Sequence, residues 1–155
     1  CYASLYTPRA ISYRRNNGIH SAEMAVVVQE MIHSHISGVL FTANPVSGRR
    51  NESVVEVVRG LGEALVSGMT EPDRYTVKRH DSGLGCEDVT IKERRVGKKE
   101  KAIQSVEGGG VQLIASDAAT QTVLSDDEVK ELVLLGQQVS KLFGGTPQDI
   151  EFARS

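Results

Sequence analysis

Residues 24–58 read MAVVVQEMIHSHISGVLFTANPVSGRRNESVVEVV, and how this stretch divides decides the fold. Met24 to Ile32 is a largely apolar run with three successive valines, the pattern of a strand buried on both faces. Gly38 to Thr42 (GVLFT) reads as a second strand, ended by the turn residues Asn44-Pro45 and Gly48. Ser34-His35-Ile36-Ser37, lying between them, has the length of a hairpin connection. Ser53 to Val58 (SVVEVV) alternates less cleanly, but its β-branched content predicts a third strand.

Working outward, Pro8 breaks residues 3–16 into a short helical turn before it and a second one after it, since proline is tolerated at the first helical position. Asn16-Asn17-Gly18 is a turn signal. After the third strand, Gly60-Leu61-Gly62-Glu63-Ala64-Leu65-Val66-Ser67-Gly68 reads as a short apolar helix opened by two glycines and closed by a third. Arg74 to Arg79 (RYTVKR) alternates as a strand. The Gly-punctuated stretch from His80 to Ala119 carries short strands near 89–92, 102–105 and 111–114. Ser125 and Glu128 form a capping box. Val129, Leu132, Val133, Leu135, Val139, Leu142 and Phe143 follow at helical spacing, with Gly144-Gly145 and Pro147 as the stop. Asp149 to Ala153 (DIEFA) then alternates, with Ile150 and Phe152 inward and Asp149 and Glu151 outward together. The expectation is one α+β domain over residues 1–155, a mixed, mostly antiparallel sheet with a long amphipathic helix packed on it.

With 39% apolar and 25% charged residues in a 155-residue chain, the composition is that of an ordinary globular domain with a core. The formal net charge of −2 favours no polyanionic partner. The basic stretch Lys92 to Lys101 (KERRVGKKEK) has no interleaved aromatic residues, so it reads as a solvated strand-and-turn face rather than a nucleic-acid patch. Cys1 and Cys86 stand far apart and read as free thiols in a reducing compartment. No apolar run approaches the roughly 20 residues that span a bilayer, and no signal peptide is expected. The expected location is the cytoplasm. The chain opens at Cys1 without an initiator Met and stops two residues after its last strand, which predicts a piece of a longer protein.

Three segments carry candidate chemistry. Asp149 and Glu151, at i and i+2 on a strand, project from one face close enough to share a hard divalent cation such as Mg²⁺; the alternative is a solvated strand face. Glycines before Glu63 let the backbone approach a ligand, and Glu63 can touch a metal or ribose or simply cap its helix; the spacing is neither Walker A nor GxGxxG. Gln29-Glu30-Met31 ends the apolar run, where polar groups either meet a ligand's hydrogen-bonding edge or reach solvent. His33 and His35 read as a polar hairpin tip rather than a zinc site. The four histidines include no Ser-His-Asp or Cys-His arrangement, so no catalytic residue is expected here.

The order of CYASLYTPRAISYR, VVVQEMI, SGVLFTANPVSGRR, GLGEALVSG with PDRYTVK, and PQDIEFA resembles the N-terminal nucleotide-binding domain of the phosphoenolpyruvate synthase and pyruvate phosphate dikinase family, over nearly the whole chain. IKERRVGKKEKAI is similar to the Lys-rich hairpin of phosphoenolpyruvate synthases and rifampin phosphotransferases. The resemblance implies an ATP-grasp lobe binding ATP and Mg²⁺, within an enzyme that phosphorylates a histidine on a mobile domain and passes the phosphoryl group to pyruvate or to an antibiotic hydroxyl. By the same resemblance Gln29 lies beside the adenine with Glu30 and Met31 in the hinge, Glu63 faces the phosphates, and Asp149 and Glu151 stand at the Mg²⁺ end.

The family's upstream lysine and arginine clamps, a downstream Gln-x-Arg strand and the phosphohistidine domain are not in the sequence. The chain alone is therefore expected to be inactive, with the missing lobe and phosphohistidine domain as its partners. The segment Glu107–Gly110 (EGGG) leans toward the rifampin enzymes. A stand-alone, non-catalytic binding module is the remaining alternative. A lobe that exposes apolar surface is also expected to self-associate as a homodimer.

Overall fold

The structure, a computed structural model, describes residues 1–28, 30–81, 87–116 and 120–155. The chain divides into two compact units, Cys1–Met31 and Ile32–Ser155. In the first, a 3₁₀ turn over Tyr2–Tyr6 gives way at Thr7 to helix α1, Pro8–Asn16. Pro8 occupies the first helical turn, where it has no hydrogen bond to break, and the Thr7 hydroxyl accepts from the Ala10 amide at 3.3 Å. The break expected at Pro8 is therefore present.

Among the described residues of Met24 to Ile32 the expected strand is absent, and so is the hairpin that would have joined it to the next strand. The described residues of that run form no ladder, and Val27 and Val28 are 82% and 94% exposed. A strand needs a neighbour to take its backbone N–H and C=O groups, and among the described residues none is in register with this segment. Valines alone do not supply one. Two other expectations, for Gln29 and Cys86, fall outside the described residues; Cys1 is a free, exposed thiol.

The second unit holds β1 (Ile36–Phe41), β2 (Glu52–Arg59), the single-turn helix α2 (Glu63–Val66), β3 (Asp73–Asp81), β4 (Glu87–Arg95), β5 (Lys101–Ser105), β6 (Val111–Ala115), helix α3 (Asp126–Leu142) and β7 (Asp149–Arg154). Five strands form one antiparallel sheet in the order β4-β3-β2-β1-β7, and β5 and β6 pair as a separate antiparallel hairpin. The last strand in sequence thus lies beside the first. An α+β unit with a mostly antiparallel sheet and one long helix is what the hydrophobic pattern predicts.

Helix α3 covers one face of the sheet. Ile36, Leu40, Val55, Val57, Tyr75, Val77 and Val89 pack there with Val129 and Val133. The buried stripe of α3 runs through Val129, Val133, Gly136, Gln137 and Ser140, whereas Leu142 and Phe143 at its end are 84% and 63% exposed. Gly136 sets the helix against β1, since a Cβ there would overlap the Leu40 side chain. The Gln137 side chain, buried in this layer, is paired, as burial demands. Gln137 donates to the Ser53 hydroxyl at 3.4 Å and accepts from Arg79. Ser125 and Glu128 make the expected capping box, and Glu128 also accepts from Arg154 of β7 at 2.5 Å. The Ser125 amide, then Arg154, hold the Glu128 carboxyl down at about 2.

The basic stretch departs from the solvated face expected of it. Lys99 is 1% exposed and pairs with Asp73, itself fully buried. Asp73 also accepts from the amides of Gly97 (3.0 Å) and Val123 (2.7 Å), and Lys99 donates to the Gly97 carbonyl at 2.9 Å. A buried ion pair persists only when its remaining donors and acceptors are met in this way. Gly97 makes the turn possible, because a Cβ there would collide with the carbonyl oxygens of Glu71 and Pro72. Among the described residues no helix is long and apolar enough to cross a membrane.

Candidate functional site

The alternation of β7 decides where its carboxylates go. Ile150 and Phe152 turn to the α3 side and pack on the core, so Asp149, Glu151 and Ala153 turn to the opposite face. On that face Glu151 lies opposite Val39, Asp149 opposite Phe41, and Ala153 opposite Ser37. The same rows continue across the sheet: Val39 faces Glu56, which faces Arg74, while Phe41 faces Val54, which faces Thr76. Both β7 carboxylates are exposed, and neither enters an ion pair among the described residues.

This second face is covered only in part. Helix α2 and strand β5 lie against β2, with Val58, Ala64, Ala102 and Ile103 buried. Their attachment begins at Gly60, whose φ of +77° suits glycine. A Cβ at Gly60 would also overlap the Ile103 carbonyl oxygen. The Gly60 amide donates to His35 O at 2.8 Å, Leu61 donates to Ile103 O at 2.7 Å, and the Ser34 hydroxyl donates to Gly60 O at 3.3 Å. Ser37, on the face that bears Glu151, donates to the Ser34 hydroxyl at 3.0 Å. A Cβ at Gly62 would stand 3.6 Å from the Ser37 Cβ. The loop is thereby held at the Ala153 end of the face, and Glu63, exposed in the first turn of α2, borders it.

At the other end stands Glu52, 3% exposed, accepting from Lys92 (2.8 Å), Arg49 (3.0 Å) and Asn44 (2.9 Å). Lys92 first, then Arg49 and Asn44, hold its carboxyl down at about 2. A register shift between Thr76 and Val77 leaves Lys92 outside the β3–β4 pairing, and its side chain reaches across to Glu52. Between the two ends, Arg74 Nη1 donates to Glu56 Oε1 at 3.1 Å.

Of the residues singled out from sequence, Asp149 and Glu151 come together on one face, with Glu63 at its border. Glu30 and Met31 belong to the first unit, where both are exposed. His33 places Nδ1 2.6 Å from the Ser105 hydroxyl, and His80 lies on β3, its Nε2 2.9 Å from the Thr90 hydroxyl. Glu56 and Arg74 were missed. Their signal was the single charge inside SVVEVV and the arginine ahead of Tyr75, each on the opposite parity from the core residues of its strand.

Chemically, two exposed carboxylates at i and i+2 suit one hard divalent cation. No group of three or more His, Cys, Asp or Glu able to enclose a metal occurs among the described residues. An ion on Asp149 and Glu151 would therefore complete its shell with water or a ligand's oxygens, the habit of Mg²⁺ rather than of a closed structural site.

Comparison with known proteins adds a frame to this geometry. Residues 1–155 match the family model for the pyruvate phosphate dikinase AMP/ATP-binding domain. The chain is 42% identical, over 98% of its length, to a rifampicin phosphotransferase of Streptomyces sviceus, of which it spans 17%. It is 40% identical, over 99% of its length, to a probable phosphoenolpyruvate synthase of Archaeoglobus fulgidus, spanning 20% of that protein. With the phosphoenolpyruvate synthase of Pyrococcus furiosus the identity is 37%, again over 99% of the chain and 19% of the relative.

Proposed function

Because the chain belongs to the pyruvate phosphate dikinase AMP/ATP-binding family, we propose that it is the ATP- and Mg²⁺-binding part of a phosphotransferase that phosphorylates a histidine on another domain. The observation that carries this reading is the pair Asp149 and Glu151, side by side on the partly uncovered face of the sheet, with the Gly60–Gly62 loop docked beside it through Ser37.

Asp149 and Glu151 are the residues that would hold the cation. A Mg²⁺ ion held by these carboxylates would supply charge neutralisation for a nucleotide's phosphates, which is most of what phosphoryl transfer asks of a protein. Glu63, at the border of the face, is assigned to the phosphate side. Gln29, Glu30 and Met31 are assigned to the adenine side on the strength of the family likeness alone. No general base is needed from this chain, because the nucleophile in this reading is the imidazole of another domain.

The acceptor has two equal candidates. Relatives named rifampicin phosphotransferase and phosphoenolpyruvate synthase are similar to this chain to nearly the same degree, and an antibiotic hydroxyl and pyruvate are the corresponding acceptors in the proposal.

The test is calorimetric titration of ATP with and without Mg²⁺, on the chain and on Glu151→Gln. The expected result is Mg²⁺-dependent binding that weakens about tenfold or more in the variant, the scale of one lost charged contact. Binding that ignores both Mg²⁺ and the substitution would overturn the assignment of the metal to β7.

A further inference from the structure

We infer that Arg74 takes the phosphate chain of the nucleotide, and that Glu56 is the group that holds its guanidinium until the nucleotide arrives. This rests on the reading of the β7 face as the nucleotide site.

The argument begins with charge. The face presents Asp149 and Glu151, with Glu63 at its border and Glu56 two strands in from the edge. A polyphosphate brought to such a surface meets like charge, and one divalent cation leaves the excess uncorrected. A cation fixed in the protein is needed on the same face.

Arg74 stands in the right row. The order across the sheet is Glu151, Val39, Glu56, Arg74, Arg95, each paired in register with the next. At ~4.8 Å per strand the backbones of Glu151 and Arg74 are about 14 Å apart, a span filled by two long side chains reaching toward a polyphosphate between them. Of the other cations on this side, Lys78 stands exposed toward the far end of the face, opposite Glu52 rather than in the row of Glu151, and two are engaged elsewhere. Arg95 bonds Glu71 at 2.7 Å, and Lys92 bonds Glu52. Among the described residues Arg74 makes one side-chain hydrogen bond, from Nη1 to one oxygen of Glu56, and its side chain is 37% exposed against 24% for Glu56. A guanidinium offers five donors in a planar fork suited to phosphate, and one carboxylate contact leaves most of that capacity unused.

A cross-strand ion pair can be no more than a sheet contact worth little. The two roles separate by sign. If the pair only supports the sheet, removing either charge weakens ligand binding. If Glu56 holds Arg74 against the day a phosphate displaces it, removing the carboxylate frees the guanidinium and strengthens anion binding.

The experiment titrates ATP with Mg²⁺, adenosine, and inorganic tripolyphosphate without Mg²⁺ into the chain and into Arg74→Gln, Arg74→Lys and Glu56→Gln, with thermal melting confirming that each variant is folded. The expected result is a loss of about 10- to 100-fold for ATP in Arg74→Gln, no change for adenosine, partial recovery in Arg74→Lys, and tighter tripolyphosphate in Glu56→Gln. Equal losses for ATP and adenosine, or weaker tripolyphosphate in Glu56→Gln, overturn the role of Arg74. ATP binding unchanged in Arg74→Gln but dependent on Glu151 overturns it while sparing the nucleotide site. An unsubstituted chain that binds neither ATP nor tripolyphosphate overturns both.

Discussion

Val26-Val27-Val28 and Val54-Val55 with Val57-Val58 are nearly the same in composition and opposite in fate. Val27 and Val28 are almost fully exposed, whereas all four valines of β2 are fully buried. The difference lies in what each run is offered. Strand β2 has β1 on one side, β3 on the other, α3 across one face, and α2 with β5 against it. The run at 26–28 has no ladder partner among the described residues. The same contrast recurs among charges: Lys98 is exposed and Lys99, next to it, is buried against Asp73. In both cases the partner decides, not the residue.

The sharpest way to break this comparison is to remove a partner and leave the residue. Asp73→Ala strands the Lys99 ammonium in the interior and is expected to cost about 3–5 kcal/mol, read by urea denaturation. Replacing Asp73 and Lys99 together by apolar residues should recover much of that loss. Were Asp73→Ala tolerated without loss, burial of Lys99 would need another explanation. Next in size, Val57→Ala should cost about 2–3 kcal/mol by lost transfer and cavity.

A smaller effect is expected in acid. The folded-state carboxyls of Glu52 and Glu128 sit near 2 against an ordinary 4.5. A depressed carboxyl stabilises the fold above its unfolded value and loses that contribution as pH falls through the folded one. Denaturation midpoints should therefore fall between pH 4.5 and about 2, and Glu52→Gln should flatten part of that slope. Smallest of all, Val27→Ser should move stability by less than about 0.5 kcal/mol. A larger change would mean that Val27 has a partner in solution.

Local rules carried much of this fold. The capping box, the break at Pro8 and the strands expected over 38–42, 53–58 and 74–79, found at Ile36–Phe41, Glu52–Arg59 and Asp73–Asp81, follow from side-chain chemistry and period, which act over a few residues. Alternation alone also placed Asp149 and Glu151 on one face. What was not legible depends on residues far apart in the chain. Nothing near Lys99 announces Asp73, and nothing near Glu56 says that Arg74 lies opposite it and Glu151 two strands away. The run at 24–32 failed for the same reason in reverse, because periodicity reports burial but not the neighbour that burial requires.

One feature of the sheet bears on how the molecule is made. Strand β1 pairs with β2, which follows it closely, and with β7, far along the chain, matching Ile36 to Arg154 and Phe41 to Asp149. Closing so long a stretch of chain must precede the contacts that reward it, and topologies rich in such pairings fold slowly. Asp149 and Glu151 ride on that late-joining strand. During synthesis the hairpin of β1 and β2 emerges with its β7-facing edge still open, so the carboxylate pair takes its place opposite Val39 and Phe41 only after β1 to β4 have left the ribosome.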